Sequence, residues 1–481
     1  MKLGDLIEDA PGLTGNPEIT GITADSRNVK PGFVFAALPG VKMDGRAFIA
    51  QALAKGAAAI LAPIGTENPG VPLIARDDPR HELAKMAARF YPGQPKTIVA
   101  VTGTNGKSST VEFLRQIWAF AGRKAACLGT LGVTTQMGLK PLHHTTPDPV
   151  SLHQAIHDLA GEGIDYLALE ASSHGLIQSR LDGVAITHTG FTNLSQDHFD
   201  YHDGFEDYFA AKARLFDTLA RAGSPAAIMV DGKWGRRMAR HASAHGLDVC
   251  SVGWEGRDVR LVEVRPKAKS QTLTLTVYGD LHSVELPLAG EFQALNAVLA
   301  LALALQSGVA LTTALAALAA LQGVRGRMEP VGANKDGAPV FVDFAHTPDG
   351  LDKLLRALRP HTKGDIHLVF GCGGDRDPLK RPQMGKIAAD LADHVIVTDD
   401  NPRFEDAAPI RAAVMAACPG AQEIGDREAA IAAGIESLKP DDALVIAGKG
   451  HESGQIIGEQ VIPFDDADCA RRVLAAIGGA S

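Results

Sequence analysis

Gly103-Thr-Asn-Gly106-Lys107-Ser108 is a short glycine-bearing loop that ends in a lysine and a hydroxyl. It lies between the β-branched run "TIVAVT" and a helical pattern. Those residue types in that order can hold phosphate. Glycines let the backbone approach closely, amides at a helix start face an anion, and Lys107 adds a point charge. Ser108 is placed to reach a Mg2+ ion. Two residues separate the glycines where the general phosphate-loop pattern has four. The bare triplet Gly106-Lys107-Ser108 would be a weak signal, but the strand before it and the helix after it make nucleotide binding the expectation.

Two further segments carry side chains suited to the same chemistry. "YLALEASSHGLIQSR" ends an apolar strand with Glu170, and "NLSQDHFDYH" supplies His198 after another. Alone, Glu170 reads as a strand-end charge and His198 as a polar surface residue. Together, at strand ends beside a phosphate loop, they point to a metal–phosphate site. Elsewhere "VIVTDDNPRFED" stops an apolar run at two aspartates, followed by Asn401, Pro402 and Arg403. By itself that stretch is a solvated turn.

These groups need a scaffold that brings strand ends together. The 481 residues suggest about three domains. Strand-like segments ("PVFVDF", "IHLVFG", "HVIVTD", "ALVIAG") alternate with helical patterns, which implies α/β domains with parallel sheets covered on both faces. Ligands in such sheets bind beyond the carboxyl ends of the strands. The Gly/Pro-bearing stretch "GVRGRMEPVG" (Gly323 to Gly332) reads as a linker.

Composition narrows the class. With 45% hydrophobic and 21% charged residues the chain is ordinary for a soluble globular protein. A formal charge of −9 speaks against a general nucleic-acid binder. Cysteines 127, 250, 372, 418 and 469 form no CxxC pair, so reduced thiols in a cytoplasmic setting are expected. Acids near the start, "MKLGDLIEDAPGL", leave no room for a secretory signal core. The uncharged stretch Ala294 to Leu321 is long enough to span a membrane, but Gln306, Ser307 and Gly308 interrupt it; two buried helices joined by a turn fit better.

The segments "TGTNGKSST", "HTTPD", "EASSHGL", "NLSQDHFDYH", "YFAAKARLF", "RGRMEPV", "DFAHTPD" and "GCGGDRD" together resemble the Mur ligases, ATP-dependent amino-acid-adding enzymes of peptidoglycan synthesis. They occur in the family's order over almost the whole chain. "DSRNVKPGFVFAALPG" near the start, with "DNPR" and "GKGHE" near the end, resembles the branch that adds meso-diaminopimelate to UDP-N-acetylmuramoyl-L-alanyl-D-glutamate.

The resemblance implies three domains: an α/β uridine-nucleotide domain over 1–95, a central P-loop-type parallel-sheet ATPase domain over 96–325, and a Rossmann-like amino-acid domain over 326–481. ATP would lie on Gly103, Thr104, Asn105, Gly106, Lys107, Ser108 and Ser109, with Asn296, Asp343 and His346 near the nucleotide. The UDP-sugar peptide would meet Ala24, Ser26, Val41, Lys42 and Met43, then His144, Thr145, Thr146, Ser172, Gln178 and Arg180. Two Mg2+ ions would be held by Ser108, Glu170, His198 and Lys212. Lys107, Lys212, His198 and Glu170 would form the catalytic group.

Lys212 reads from the residues alone as a solvated helix charge; the family match implies a carbamylated lysine that serves the second Mg2+. Gln293 stands where the family usually has Asn, and His144 replaces an Asn often found before the two threonines. Both keep a hydrogen-bonding side chain.

The chemistry implied is phosphorylation of a carboxylate by ATP, then attack of an amine on the acyl phosphate. Like charges meet in the first step, so Mg2+, Lys107 and helix amides are needed. In the family Asp400, Asn401, Pro402 and Arg403, with Arg376, Gly448 and Glu452, select the acceptor. An arginine can pair two parallel N–H groups with the distal carboxylate that distinguishes meso-diaminopimelate from lysine. Aspartate and asparagine beside it could hold the distal ammonium.

A monomer in the cytoplasm acting on small molecules, without nucleic-acid or membrane partners, is expected. Three alternatives stay open: a lysine-adding relative, which Arg403 speaks against; a binding protein that hydrolyses ATP without ligation; and "GCGGDRD" as a dinucleotide fingerprint, whose glycine spacing fits poorly.

Overall fold

Continuous runs of valine, isoleucine and alanine make strands buried on both faces, and such strands belong to parallel sheets covered by helices. The computed structural model follows that rule and describes residues 1–8, 15–40, 43–140, 145–197 and 201–479. By internal packing the chain divides into two units, Met1–Val259 with Leu299–Ala314, and Arg260–Val298 with Leu315–Ser481.

The first unit contains two sheets. Gly21–Thr23, Phe33–Ala36, Ala59–Pro63 and Leu73–Arg76 form a parallel sheet in chain order. Leu3, Leu6, Val34, Leu61, Leu83 and Met86 share its core. The helix Pro79–Phe90 that covers it has a built start: Asp78 caps the amides of Arg80 and His81, and Pro79 occupies the first turn.

Within this unit eight of the second sheet's eleven strands run in the order Asp248–Gly253, Pro225–Met229, His188–Phe191, Thr97–Thr102, Tyr166–Glu170, Ala125–Gly129, Gly132–Thr135, Gly138–Lys140. The strands from Asp248–Gly253 through Ala125–Gly129 are parallel; the last two turn back as antiparallel hairpins. Register decides what meets at the carboxyl edge. Val101 pairs with Glu170 and Thr102 with Phe191, so the loop at Gly103, the Glu170 carboxylate and Thr192 leave the sheet side by side.

The second unit holds a six-stranded sheet in the order Glu329–Ala333, Pro339–Asp343, Ala443–Ala447, Ile366–Phe370, His394–Val397, Gln422–Glu423. All neighbours are parallel except the first pair. Ala443–Ala447, late in the chain, is inserted between two earlier strands. That insertion makes a topological switch point, where loops part and leave a crevice. Separate cores built on Phe341, Leu368 and Phe370, and on Val340, Val369 and Leu444, fill the two faces.

The four strand segments expected in this region are all strands. The linker expectation needs correction at its end. Glu329–Ala333 is an antiparallel edge strand with a register shift between Pro330 and Gly332. Proline and glycine suggested a loop there, but an edge strand with a bulge tolerates both. Ala294 to Leu321 forms parts of the helices Glu291–Gln306 and Leu311–Leu318. No helix among the described residues is long and apolar enough to cross a membrane. All five cysteines are free and buried.

Candidate active site

The loop after Thr97–Thr102 is held open by its glycines. Gly103 has φ +148° and Gly106 φ +85°. A Cβ on Gly103 would overlap the Thr192 hydroxyl, which donates to Asn105 O at 2.6 Å. Thr104 Oγ1 accepts from Ser195 N–H at 3.0 Å, and Asn105 N–H donates to Asn193 Oδ1 at 3.1 Å. The loop is thus moored to the neighbouring strand's extension before any ligand binds. Gly106 ends it, and the helix Lys107–Phe120 begins with its amides facing the loop. Ser108 and Ser109 are buried in that first turn.

Two lysines converge on one carbonyl. Lys107 Nζ donates to Gly103 O at 3.0 Å and to Thr104 O at 2.8 Å, and Lys212 Nζ donates to Gly103 O at 2.9 Å. Lys212 is 1% exposed, which corrects its reading as a solvated charge. The helix Phe205–Arg214 turns Lys212 inward together with Tyr208 and Phe209, and the ammonium lies 4.2 Å from the Tyr208 ring centroid. Burial, and then the nearby Lys107 charge, push the Lys212 amine well below the usual lysine range, with Asp197 opposing. Like charges that share a carbonyl cannot both be held cheaply away from water, and the more buried Lys212 is the one whose neutral form is favoured relative to a lysine in water.

Glu170 closes the neighbouring strand and is 2% exposed. Its Oε1 accepts from Thr130 N–H at 2.8 Å and its Oε2 from the Thr130 hydroxyl at 3.2 Å. Gly129 is glycine because a Cβ there would overlap the carboxylate. The expected precursor residues gather around this strand end. Thr145 Oγ1 lies 3.0 Å from Thr130 Oγ1. Thr146 donates to Glu170 O at 2.9 Å and accepts from Ser172 Oγ at 3.1 Å. Arg180 donates to Thr146 O at 2.6 Å and to Gln178 Oε1 at 2.7 Å. Ser179, between Gln178 and Arg180, sits at φ +54°, so the pair is presented by strained backbone. Thr145, Thr146, Ser172, Gln178, Arg180 and Glu170 therefore form one hydrogen-bonded group.

In the loops beside the four-stranded sheet, Ser26 is buried and donates to Gln51 at 2.9 Å, while Ala24 and Met43 are exposed. Val41, Lys42, His144 and His198 lie outside the described residues.

The second unit brings the expected acceptor residues together at its switch point. Arg403 sits at φ +54°, held by its N–H to Ile456 O at 3.0 Å and by Gly458 N–H to its own carbonyl at 2.7 Å. Its Nη1 donates to Gly374 O at 2.8 Å. Gly374 has no room for a Cβ against Pro402 O. Asn401 Nδ2 donates to Glu452 Oε2 at 2.8 Å, and Gln455 holds Asp400 O at 2.7 Å. A Cβ on Gly448 would come within 2.6 Å of Asp400 Oδ2. Arg376 is exposed near Lys380, whose amine burial pushes down. Asp400, Asn401, Pro402, Arg403, Gly448 and Glu452 are thus neighbours, across about fifty residues of sequence.

Asp343 and His346 follow the strand Pro339–Asp343. Asp343 accepts from Met328 N–H at 2.7 Å and Ala345 N–H at 2.8 Å; burial pushes its carboxyl up against Arg327 and these amides. Burial also lowers His346. Gln293 donates to Arg327 O at 2.8 Å, and Asn296 donates to Gln293 Oε1 at 3.4 Å. The exchanged residue at 293 has a working hydrogen bond.

Sequence reasoning missed several members. Thr130 carried no signal, being one threonine among many. Lys449 was visible in "GKGHE" but a lysine between glycines reads as exposed; it is fully buried. Arg381, which donates to both oxygens of Glu405 at 2.9 Å, was not singled out from the sequence.

Comparison with known proteins fits this geometry. Residues 18–91 match the Mur ligase family catalytic domain, 101–304 the Mur ligase middle domain, and 326–450 the Mur ligase glutamate ligase domain. A UDP-N-acetylmuramoyl-L-alanyl-D-glutamate–2,6-diaminopimelate ligase of Brucella melitensis is 50% identical over 99% of each chain. The protein of the same name from Caulobacter vibrioides is 52% identical over 97% of each. A solved structure of a ligase of that name superposes with a TM-score of 0.71 at 34% identity, covering 95% of both chains. A MurF ligase from Thermotoga maritima in complex with ADP, 19% identical, shares the fold with a TM-score of 0.64 over 95% of this chain and 96% of its own.

Proposed function

The chain belongs to the Mur ligase family of ATP-dependent, amide-forming ligases, and on that premise we propose that it joins meso-diaminopimelate to UDP-N-acetylmuramoyl-L-alanyl-D-glutamate. The D-glutamate side-chain carboxylate attacks the γ-phosphorus of ATP, ADP leaves, and an acyl phosphate remains. The acceptor amine then attacks that carbonyl and phosphate departs. In the first step two anions approach each other. Lys107 and the amides at the start of Lys107–Phe120 supply fixed positive potential for the phosphates. The group around Glu170, Thr146 and Arg180 receives the precursor, with Ala24, Ser26 and Met43 toward its uridine end.

The observation that carries the acceptor is Arg403. Its backbone is locked in a conformation that non-glycine residues rarely adopt, and one guanidinium nitrogen is anchored to Gly374 O. An anchored fork leaves further N–H donors for a carboxylate. Asp400 and Glu452 beside it suit an ammonium. An amino acid with a carboxylate and an ammonium at its far end is what such a pocket selects.

Magnesium and a carbamate on Lys212 belong to the same reading. The donor set fits: burial favours the neutral form of the Lys212 amine, which is the form that adds to CO2, and the carbamate made with loss of one proton would be an anion beside Lys107. Ser108, Glu170 and carbamylated Lys212 would hold Mg2+, which when bound offsets triphosphate charge. His198 remains a further metal ligand by sequence. We assign domain limits of 1–95, 96–325 and 326–481, and a monomer in the cytoplasm with only small-molecule partners.

The test is phosphate release from ATP and the UDP-sugar dipeptide with meso-diaminopimelate, lysine or ornithine. Release confined to meso-diaminopimelate is expected; release with lysine at equal efficiency would reject the acceptor assignment. Lys212→Ala should abolish ligation, and 13C-bicarbonate should give a carbamate resonance in the wild-type protein alone.

A further inference from the structure

Lys449 has no exposed surface, although it lies between two glycines just beyond the strand Ala443–Ala447. A lysine ammonium leaves water only where its protons find partners. Here they are Asn401 Oδ1 at 3.0 Å, Glu452 Oε2 at 3.3 Å and Gly454 O at 2.6 Å. Two of these three partners are acceptor residues.

The bonds restrict what those partners can do. Asn401 Oδ1 also accepts Ile456 N–H at 2.9 Å, so both its lone pairs are occupied. Its amide nitrogen is consequently turned to Glu452 Oε2 at 2.8 Å. An amide fixed this way has no acceptor atom left for an incoming ammonium. Glu452 Oε2 takes two donors, while Oε1 has no hydrogen bond among the described residues and the side chain is 36% exposed.

We propose that Lys449 is a positioning residue of the acceptor site: it fixes Asn401 and one oxygen of Glu452, so that Glu452 Oε1, not Asn401, receives the distal ammonium of the acceptor. This rests on the acceptor reading above. The cation also neutralises half of the Glu452–Asp400 anionic face, which keeps the pocket from repelling the carboxylate that Arg403 binds.

The experiment compares meso-diaminopimelate with 2-aminopimelate, which keeps the attacking amine and distal carboxylate but lacks the distal ammonium. A wild-type enzyme that releases no phosphate with meso-diaminopimelate fails the acceptor reading itself, before any variant is made. Given an active wild type, Lys449→Gln retains an N–H donor but no charge. Its KM for meso-diaminopimelate should rise about tenfold or more, with the KM for ATP and for the precursor within about twofold. Glu452→Gln should erase the preference for meso-diaminopimelate over 2-aminopimelate. The double variant should cost no more than the larger single, since both act through one contact. Equal shifts in all three KM values, or single effects that multiply in the double variant, would overturn the proposal. If Lys449→Gln does not fold, Glu452→Gln decides: a preference left intact overturns it.

Discussion

Replacing Arg403 by lysine isolates the contact on which the proposed acceptor choice rests. The backbone cost of φ +54° falls on either residue, because both carry a Cβ and the two flanking hydrogen bonds to Ile456 O and from Gly458 N–H are main-chain. That term cancels between wild type and variant. What changes is the donor set. Arg403 uses Nη1 on Gly374 O at 2.8 Å and keeps its remaining N–H groups in a planar fork. Lysine has one nitrogen, which can reach Gly374 O or the ligand but cannot match two carboxylate oxygens in parallel. The net loss is about one charge-assisted hydrogen bond, about 1.5–3 kcal/mol. That corresponds to about 10- to 150-fold in kcat/KM for meso-diaminopimelate. The assay is steady-state phosphate release with each of the three substrates varied in turn. The KM for ATP and for the precursor should stay within about twofold, since the loss is confined to one pocket. An acceptor kcat/KM within about threefold of wild type, or a fall shared by all three substrates, would refute the reasoning.

Other parts of the molecule give equally direct expectations. Gly103→Ala places a methyl against the Thr192 hydroxyl at a φ of +148°, so the loop must shift by more than a rotamer change can absorb; ATP affinity measured by calorimetry should fall at least about tenfold. Arg427 and Asp466 form a buried bidentate pair at 2.7 Å, and Arg427 also holds Asp399 O and Ala447 O. Arg427→Met should cost about 3–5 kcal/mol by stranding Asp466, and adding Asp466→Leu should recover most of it; equal losses in single and double variants in a denaturant titration would contradict this. Burial first, and then the neighbouring Arg327, Arg325 and His346, push the His451 imidazole down to about 4. It is neutral in the fold while the unfolded chain takes up a proton below about 6.5, so its contribution is present above that pH and lost as pH falls toward 4. Burial keeps up to about 3 kcal/mol in play, and His451→Gln should flatten the fall in thermal midpoint over that window.

The strand, glycine loop and helix start around residues 103–108 were legible because everything they need is local. Glycines, the lysine and the helix start lie within a few residues of one another, and backbone geometry follows from residue type. Glu170 at a strand end was legible for the same reason, since an apolar run that stops at a carboxylate gives its position. Other features had no local signature. Lys212 read as solvated because its partners come from Gly103 and Tyr208, and only the packing of Phe205–Arg214 shows it buried. The partners of Asn401 had no local signature either: its carbonyl oxygen accepts from Lys449 and Ile456, about fifty residues away. The edge strand Glu329–Ala333 was read as a linker because strand pairing, rather than propensity, makes it a strand.

By itself, the sequence determined which side chains were available and where: glycines and a lysine in a strand-to-helix loop, carboxylates at strand ends, an arginine after a turn. Tertiary structure decided which of those groups are free to act. The register between Thr97–Thr102 and Tyr166–Glu170, and the late insertion of Ala443–Ala447, bring distant residues within hydrogen-bond reach. The physical reason is that protonation and hydrogen-bond commitment depend on desolvation and on partners met through space, and neither is a property of a residue's place in the chain.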